Sequence, residues 1–279
     1  MTKTTDNFLL TMASKSLERY QANSQKINEH QLLEYCETNK PNTGFQLNKD
    51  GFTFIAEIKK ASPSIGELSA DNFDLCHQAQ NYIIGGADII SVLTEPTRFL
   101  GSLNDLSKLS KQYPNTPFMR KDFLVHPYQV SEACYSGAAG VLLIAGILSD
   151  AKLETMIKRA QQHHMFVLVE VFNKAELEQS IDVIANLNNQ PNSIMLGVNC
   201  RDLKSLEVNF SWFEHLAETL PKDLICVAES GTNVPSDIRK IVSWGYRGVL
   251  IGTTLMQSND PAQTLLDFRQ AAITAQQAL

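Results

Sequence analysis

The sequence predicts an α/β protein, a (β/α)8 TIM barrel with an N-terminal helical extension, and three observations predict it. After about residue 50, short β-rich apolar runs alternate with longer amphipathic stretches. Eight such runs occur, and turn signals return at the spacing of a βα unit. No G-x-G-x-x-G or P-loop follows the first run, which favours a closed barrel over an open doubly wound sheet.

In chain order, residues 8–20 and 29–37 read as two helices of an extension covering residues 1–50, joined to the barrel by the turn-rich KPNTGFQLNKDG. The barrel then occupies 51–279, with strands at 54–59, 88–94, 117–121, 140–144, 165–170, 193–199, 224–229 and 248–251. Each run is continuously apolar rather than alternating, as strands covered on both faces require. Between them, Asp150 and Asn173 are placed to cap the helices that follow, because a short polar side chain accepts a bond from an orphan helical N–H. Pro127 and Pro235 fit first turns, where the missing N–H is harmless. Gly85, Gly137 and Gly245 stand where left-handed C-caps are wanted. The stretch NLNNQPNS (186–193) reads as an enlarged loop on the barrel face opposite the strands' C-terminal ends.

Composition narrows the function. The 24 Lys and Arg against 30 Asp and Glu leave a net charge of −6, which argues against a nucleic-acid binder. The longest uncharged apolar run, AAGVLLIAGIL (138–148), is well short of the ~18 residues of a membrane span. MTKTTDNFLL lacks the apolar core of a secretory signal, so the cytoplasm is expected. The five cysteines, Cys36, Cys76, Cys134, Cys200 and Cys226, are scattered without Cys-x-x-Cys or a histidine at ligand spacing, and read as free thiols. No metal or cofactor is expected. His163 and His164 read as a helix end facing its own dipole.

Ionisable residues sit where buried strands should not carry them. Glu57, Lys59, Lys121, Glu170, Asn199, Arg201, Glu229 and Ser230 all fall at or just beyond the C-terminal ends of strands, the active-site face of this fold. Period-two geometry puts Glu57 and Lys59 on one side, and also Asn199 and Arg201 if their strand continues. Unpaired buried charges cost several kcal/mol each, so the set calls for mutual pairing or a charged ligand. After the last two strands, AESG and LIGTT offer the backbone N–H groups of Gly231, Gly252 and Thr253 to a phosphate, with Ser230 beside them. Three readings remain open on these grounds: a phosphosugar isomerase, an aldolase with a Schiff base on Lys121 or Lys59, and a phosphate-binding scaffold.

The chain also resembles the indole-3-glycerol-phosphate synthases of tryptophan biosynthesis. The resemblance is carried in order by FIAEIKKASPSIG (54–66), ISVLTEPTRFLGSL (90–103), MRKDFLVHPYQVSEA (119–133), LVEV (168–171), GVNCRDL (197–203), ESG (229–231) and LIGTTLM (250–256). Cys200, Thr232 and Thr253 depart from the family's usual residues, without removing an acid, a base or a backbone donor. The resemblance implies ring closure, decarboxylation and dehydration of 1-(2-carboxyphenylamino)-1-deoxyribulose 5-phosphate. It implies Lys121 as general acid, Glu170 as base or proton shuttle, Glu57 as its helper, and Lys59 either against the substrate carboxylate or as proton donor in the dehydration. Asn199 and Arg201 then serve as donors, Phe99 and Phe123 as walls of the ring pocket, and Ser62 and Leu250 complete the substrate contacts. Ser62 and Pro63 open a loop with Gly66 as hinge. A monomer or weak homodimer is expected, and association with other tryptophan-pathway enzymes is left open.

Overall fold

Alternate residues of each strand pack against different partners, and this split closes the sheet. In the computed structural model, which describes residues 8–39, 47, 51–63, 66–68, 73–187, 193–202 and 205–279, the first strand is β1 (Thr53–Ile58). Its Phe54, Ala56 and Ile58 join the apolar cluster that includes the surrounding helices. Ile55 instead meets Ile89, Met119, Leu142, Leu168 and Met195 in a second cluster, inside the barrel. Glu57 follows Ile55 by two residues and so shares the inner face. Cutting one such buried leucine to alanine costs about 2 to 5 kcal/mol.

A short antiparallel hairpin, β2 (Ala61–Ser62) and β3 (Gly66–Glu67), follows β1. The barrel continues with β4 (Ile89–Leu93), β5 (Phe118–Lys121), β6 (Gly140–Ile144), β7 (Phe166–Val171), β8 (Ile194–Asn199), β9 (Ile225–Glu229) and β10 (Gly248–Ile251). Neighbours pair in parallel in that order, and β10 returns to β1 with Ile55 opposite Leu250. Every expected strand is present within a residue at either end.

The helices are α1 (Phe8–Ser24), α2 (Glu29–Thr38), α3 (Leu75–Ile84), α4 (Leu103–Gln112), α5 (Pro127–Tyr135), α6 (Asp150–Gln162), α7 (Lys174–Ala185), α8 (Trp212–Leu216), α9 (Pro235–Ser243), α10 (Thr253–Met256) and α11 (Pro261–Gln276). The two N-terminal helices are fastened to α5. Gln129 donates to Ser16 O and Oγ, and the Tyr128 hydroxyl donates to Asn23 O and Ile27 O. Asn28 and Gln31 form a capping box at the start of α2. No helix among the described residues is long and apolar enough to cross a membrane.

Asn173 caps α7 through Glu176 N, and Pro127 and Pro235 occupy first turns as expected. Three local expectations need correction. Asp150 is already helical; Ser149 is the cap residue, and Asp150 accepts a bond from Gln179. Gly85 is right-handed at φ −69°, and the left-handed residue is Gly86. The reason is space: a Cβ on Gly85 would stand 2.8 Å from Leu265 Cβ, so this glycine admits α11 rather than turning the chain. His163 ends α6 as expected, but instead of facing the helix dipole as a cation it is a buried side chain bonded through Nε2 to Ser131 Oγ at 2.8 Å, with burial lowering its pKa to about 4. All five cysteines are free and buried. The linker 40–46 and 48–50, residues 64–65, Leu203 and most of the expected loop 186–193 lie outside the described residues.

Candidate active site

The C-terminal strand ends bring every residue that the sequence assigned to the site around one cavity of about 340 Å³. Lys121 ends β5, Asn199 ends β8 and Glu229 ends β9, while Glu57 and Glu170 sit one residue before the ends of β1 and β7. Lys59, Ser62, Phe99, Phe123, Arg201, Ser230, Gly231, Leu250, Gly252 and Thr253 complete the assigned lining. Strand β8 does not run on through Arg201, which instead forms an isolated bridge with Val208. Arg201 still meets Asn199, because its backbone N–H donates to Asn199 Oδ1 at 3.0 Å.

The charges form one connected group. Lys59 Nζ lies 2.9 Å from Glu57 Oε1, and Lys121 Nζ lies 3.7 Å from Glu57 Oε2 and 4.0 Å from Glu170 Oε1. Asn199 Nδ2 donates to Glu170 Oε1 at 2.5 Å. Burial opposes the charged form of Glu57, but the Lys59 and Lys121 ammoniums outweigh it and hold the carboxyl below its usual range. Burial also opposes the Lys121 ammonium; the carboxyls of Glu170, Glu57 and Glu229 overcome that and raise its pKa.

Glu229 is the exception. Burial, with Glu170 close by, raises its pKa well above the ordinary carboxyl value. Among the described residues no donor meets either of its carboxyl oxygens, so the neutral acid is the form that this position favours. Two glycines make room for these carboxyls. A Cβ on Gly197 would overlap Glu229 Oε1, and one on Gly252 would overlap Glu57 Oε1 and stand 2.8 Å from Lys59 Nζ.

The cavity has two different ends. Phe99 and Phe123 face each other at 6.1 Å between ring centroids, and Phe8 of α1 meets Phe123 edge-on at 5.9 Å. At the other end, Ser230 and Gly231 both have positive φ, at 74° and 77°. This left-handed pair turns the chain sharply after β9, and the strain at Ser230 is tolerated only where the surroundings fix it. Thr254 Oγ1 donates to Thr232 O at 2.7 Å, tying that turn to the start of α10. The first amides of a helix, here those after Gly252, lack intrahelical partners and are free to meet an anion.

Sequence reasoning gave no role to Phe8, Asp122, Thr232 or Thr254, all of which line the cavity, and named Glu229 without assigning it work. Asp122 was findable, since it directly follows Lys121 at the C-terminal end of β5. Phe8 was not, because nothing in its own segment points to a barrel mouth more than a hundred residues away in the chain. Among the described residues, one group brings metal-ligating atoms together, Cys36 with Cys134 and His163, and none of the three lines this cavity.

A family model described as indole-3-glycerol phosphate synthase matches residues 11–268. The indole-3-glycerol phosphate synthase of Mycobacterium leprae (strain Br4923) is 41% identical over 221 residues, covering 79% of this chain and 78% of its own. That of Lacticaseibacillus casei is 37% identical over 233 residues, covering 84% and 86%. Among solved structures, 3-hexulose-6-phosphate synthase from Salmonella typhimurium superposes with a TM-score of 0.63 at 12% identity, over 80% of this chain and 99% of that one. At that identity the likeness speaks for the barrel alone.

Proposed function

Because the chain belongs to the indole-3-glycerol phosphate synthase family, we propose that it converts 1-(2-carboxyphenylamino)-1-deoxyribulose 5-phosphate into indole-3-glycerol phosphate, carbon dioxide and water. The observation that carries this reading is the position of Lys121. Its ammonium lies within 4.0 Å of both Glu57 and Glu170, in the cavity that the aromatic wall and the glycine turns also line.

The ring carbon bearing the carboxylate attacks the ketone carbon, and a C–C bond forms as the carbonyl π pair moves to oxygen. Lys121, held protonated by its carboxylate neighbours, donates a proton or a hydrogen bond to that oxygen. The bond from the ring to the carboxylate carbon then breaks, carbon dioxide leaves, and the electron pair restores the aromatic ring. Finally the hydroxyl takes a proton from Lys59 and leaves as water, and a proton is lost from carbon to Glu170, which acts as base or shuttle. Glu57 holds both lysines in place, and Lys59 receives the substrate carboxylate. Arg201 and Asn199 donate to the carboxylate and sugar hydroxyls, and Phe99, Phe123, Ser62 and Leu250 enclose the ring and chain. Ser230, Gly231, Gly252 and Thr253 hold the phosphate through backbone donors.

The same charges weigh against an aldolase. A Schiff base needs a neutral amine, whereas Lys121 is held as the ammonium and Lys59 is ion-paired to Glu57. In this reading residues 1–50 are a helical extension of a catalytic barrel at 51–279. The protein works in the cytoplasm as a monomer or weak homodimer without a cofactor. Purified protein given the substrate should release carbon dioxide and develop indole fluorescence in equal amounts, in excess chelator as without it. A Lys121 adduct trapped by borohydride with a keto-phosphate, and no indole fluorescence, would replace this reading with the aldolase.

A further inference from the structure

The Cys36–Cys134–His163 group joins three elements that are remote in the chain. Cys36 lies in the last turn of α2, Cys134 near the end of α5, and His163 directly after α6. Their ligand atoms all lie within 4.8 Å of one another, and each residue is 3% exposed or less. The donor set is two thiols and an imidazole, which suits soft cations and excludes magnesium or calcium, whose ligands are oxygens. The surroundings are polar enough to hold the set in place. Ser131 O accepts from Cys36 Sγ at 3.5 Å, Ser131 Oγ bonds His163 Nε2, and Arg159 donates to Ser131 Oγ at 3.0 Å and to Glu29 Oε1 at 2.7 Å.

We propose that Cys36, Cys134 and His163 form a three-coordinate site for monovalent copper that clamps the N-terminal helix α2 onto the barrel helices α5 and α6. Zinc in a closed protein site takes four donors. Among the described residues the group contains three, all of them buried. A d10 monovalent ion is satisfied by a trigonal set of two sulfurs and one nitrogen. Binding replaces the two thiol protons with one copper ion and changes no oxidation state, and the Arg159 guanidinium beside Ser131 offsets the negative charge that remains. The clamp stands apart from the catalytic cavity, so metal loading is expected to act on the fastening of the extension rather than on the chemistry.

The test uses the full chain, reduced and metal-free, titrated anaerobically with monovalent copper against the chelator bicinchoninate. The wild type should take up one equivalent and melt at a higher temperature with it. X-ray absorption should give two sulfur and one nitrogen neighbours. Cys134→Ser and His163→Gln should each weaken binding by at least about tenfold, since even outer-sphere partners of a metal are worth that much. Both should keep wild-type turnover, which separates loss of the site from loss of the fold; Cys36→Ser serves as a third variant should either be unstable. Absence of a bound equivalent, equal binding by the variants, or tighter binding of zinc than copper in a parallel titration would overturn the proposal.

Discussion

Asn199 holds Glu170 by a 2.5 Å hydrogen bond between the ends of adjacent strands, β8 and β7. The amide fixes where the carboxylate oxygen points. Asn199→Ala should therefore let the Glu170 side chain move and lower kcat by about tenfold to a hundredfold, with a smaller effect on KM. Unchanged kcat in this variant would detach the Asn199–Glu170 contact from proton transfer.

Lys121 should be the most sensitive position. Lys121→Ala and Glu170→Gln should each lose at least about two orders of magnitude in kcat, the usual worth of a positioned acid or base. The carboxyls around Lys121 raise its pKa, so it stays charged through the ordinary lysine range. In the wild type, kcat/KM should show no alkaline fall from this group below about pH 10. Near-normal turnover in both variants would remove the acid–base pair from the mechanism.

Gly252 tests how tightly the carboxylate and the two lysines must be placed. Its missing Cβ is the space that Glu57 Oε1 and Lys59 Nζ occupy. Gly252→Ala should displace that pair, and misplacement by about an ångström costs on the order of a hundredfold in rate. The measurement is kcat alongside the melting temperature, and a rate loss in a protein that melts normally is the expected outcome. An alanine variant with full activity would show that the Glu57–Lys59 geometry is not limiting.

Glu229 makes a pH prediction of opposite sign to that of a paired carboxylate. Its folded-state pKa lies above the unfolded value. Its contribution to stability is therefore fully present below the ordinary carboxyl value, about 4.3, and is lost as pH rises through the raised folded value. Glutamine is neutral at every pH, so Glu229→Gln should gain melting temperature relative to wild type as pH rises above the ordinary carboxyl range. Glu229→Asp keeps the acid and should not show that trend. A pH-independent difference for the glutamine variant would mean that Glu229 is ionised in the fold.

The barrel was legible because its signal is local. Most strands are continuous apolar runs, β5 with its Arg120 being an exception, and charges such as Glu57 and Lys121 stand out at the ends of the strands whatever surrounds them. The glycine turns after β9 and β10 were legible for the same reason. What was hidden depends on pairs that meet only in space. Gly85 does close α3, but it also makes room for Leu265, and His163 does end α6, but it also reaches Ser131 and two cysteines on other helices. Asp150 and Ser149 are both acceptable cap residues, and a shift of one position separates them. The two N-terminal helices carried too weak a pattern to reveal which barrel loops they serve.

The strongest of those hidden links is made by Arg19 of α1. Its guanidinium lies 2.5 Å from Asp122 Oδ1, beside Lys121, and 3.5 Å from Glu95 Oε1. Glu95 is fully buried and accepts the backbone N–H groups of Thr97, Arg98 and Phe99, so it shapes the loop that presents Phe99 to the cavity. Asp122 keeps a second partner in the buried Arg120, at 3.2 Å, whereas Arg19 is the cation that Glu95 meets among the described residues. Removing Arg19 therefore leaves the buried Glu95 carboxyl with backbone and hydroxyl donors alone. Arg19→Met keeps the aliphatic stem and should destabilise the fold by about 1 to 3 kcal/mol. It should also raise KM more than it lowers kcat, because it loosens the aromatic wall rather than the acid–base group. Denaturant melts and steady-state kinetics on one preparation read both effects. A variant with lower kcat and unchanged KM would mean that α1 acts through Asp122 on Lys121 and not through Glu95 on Phe99.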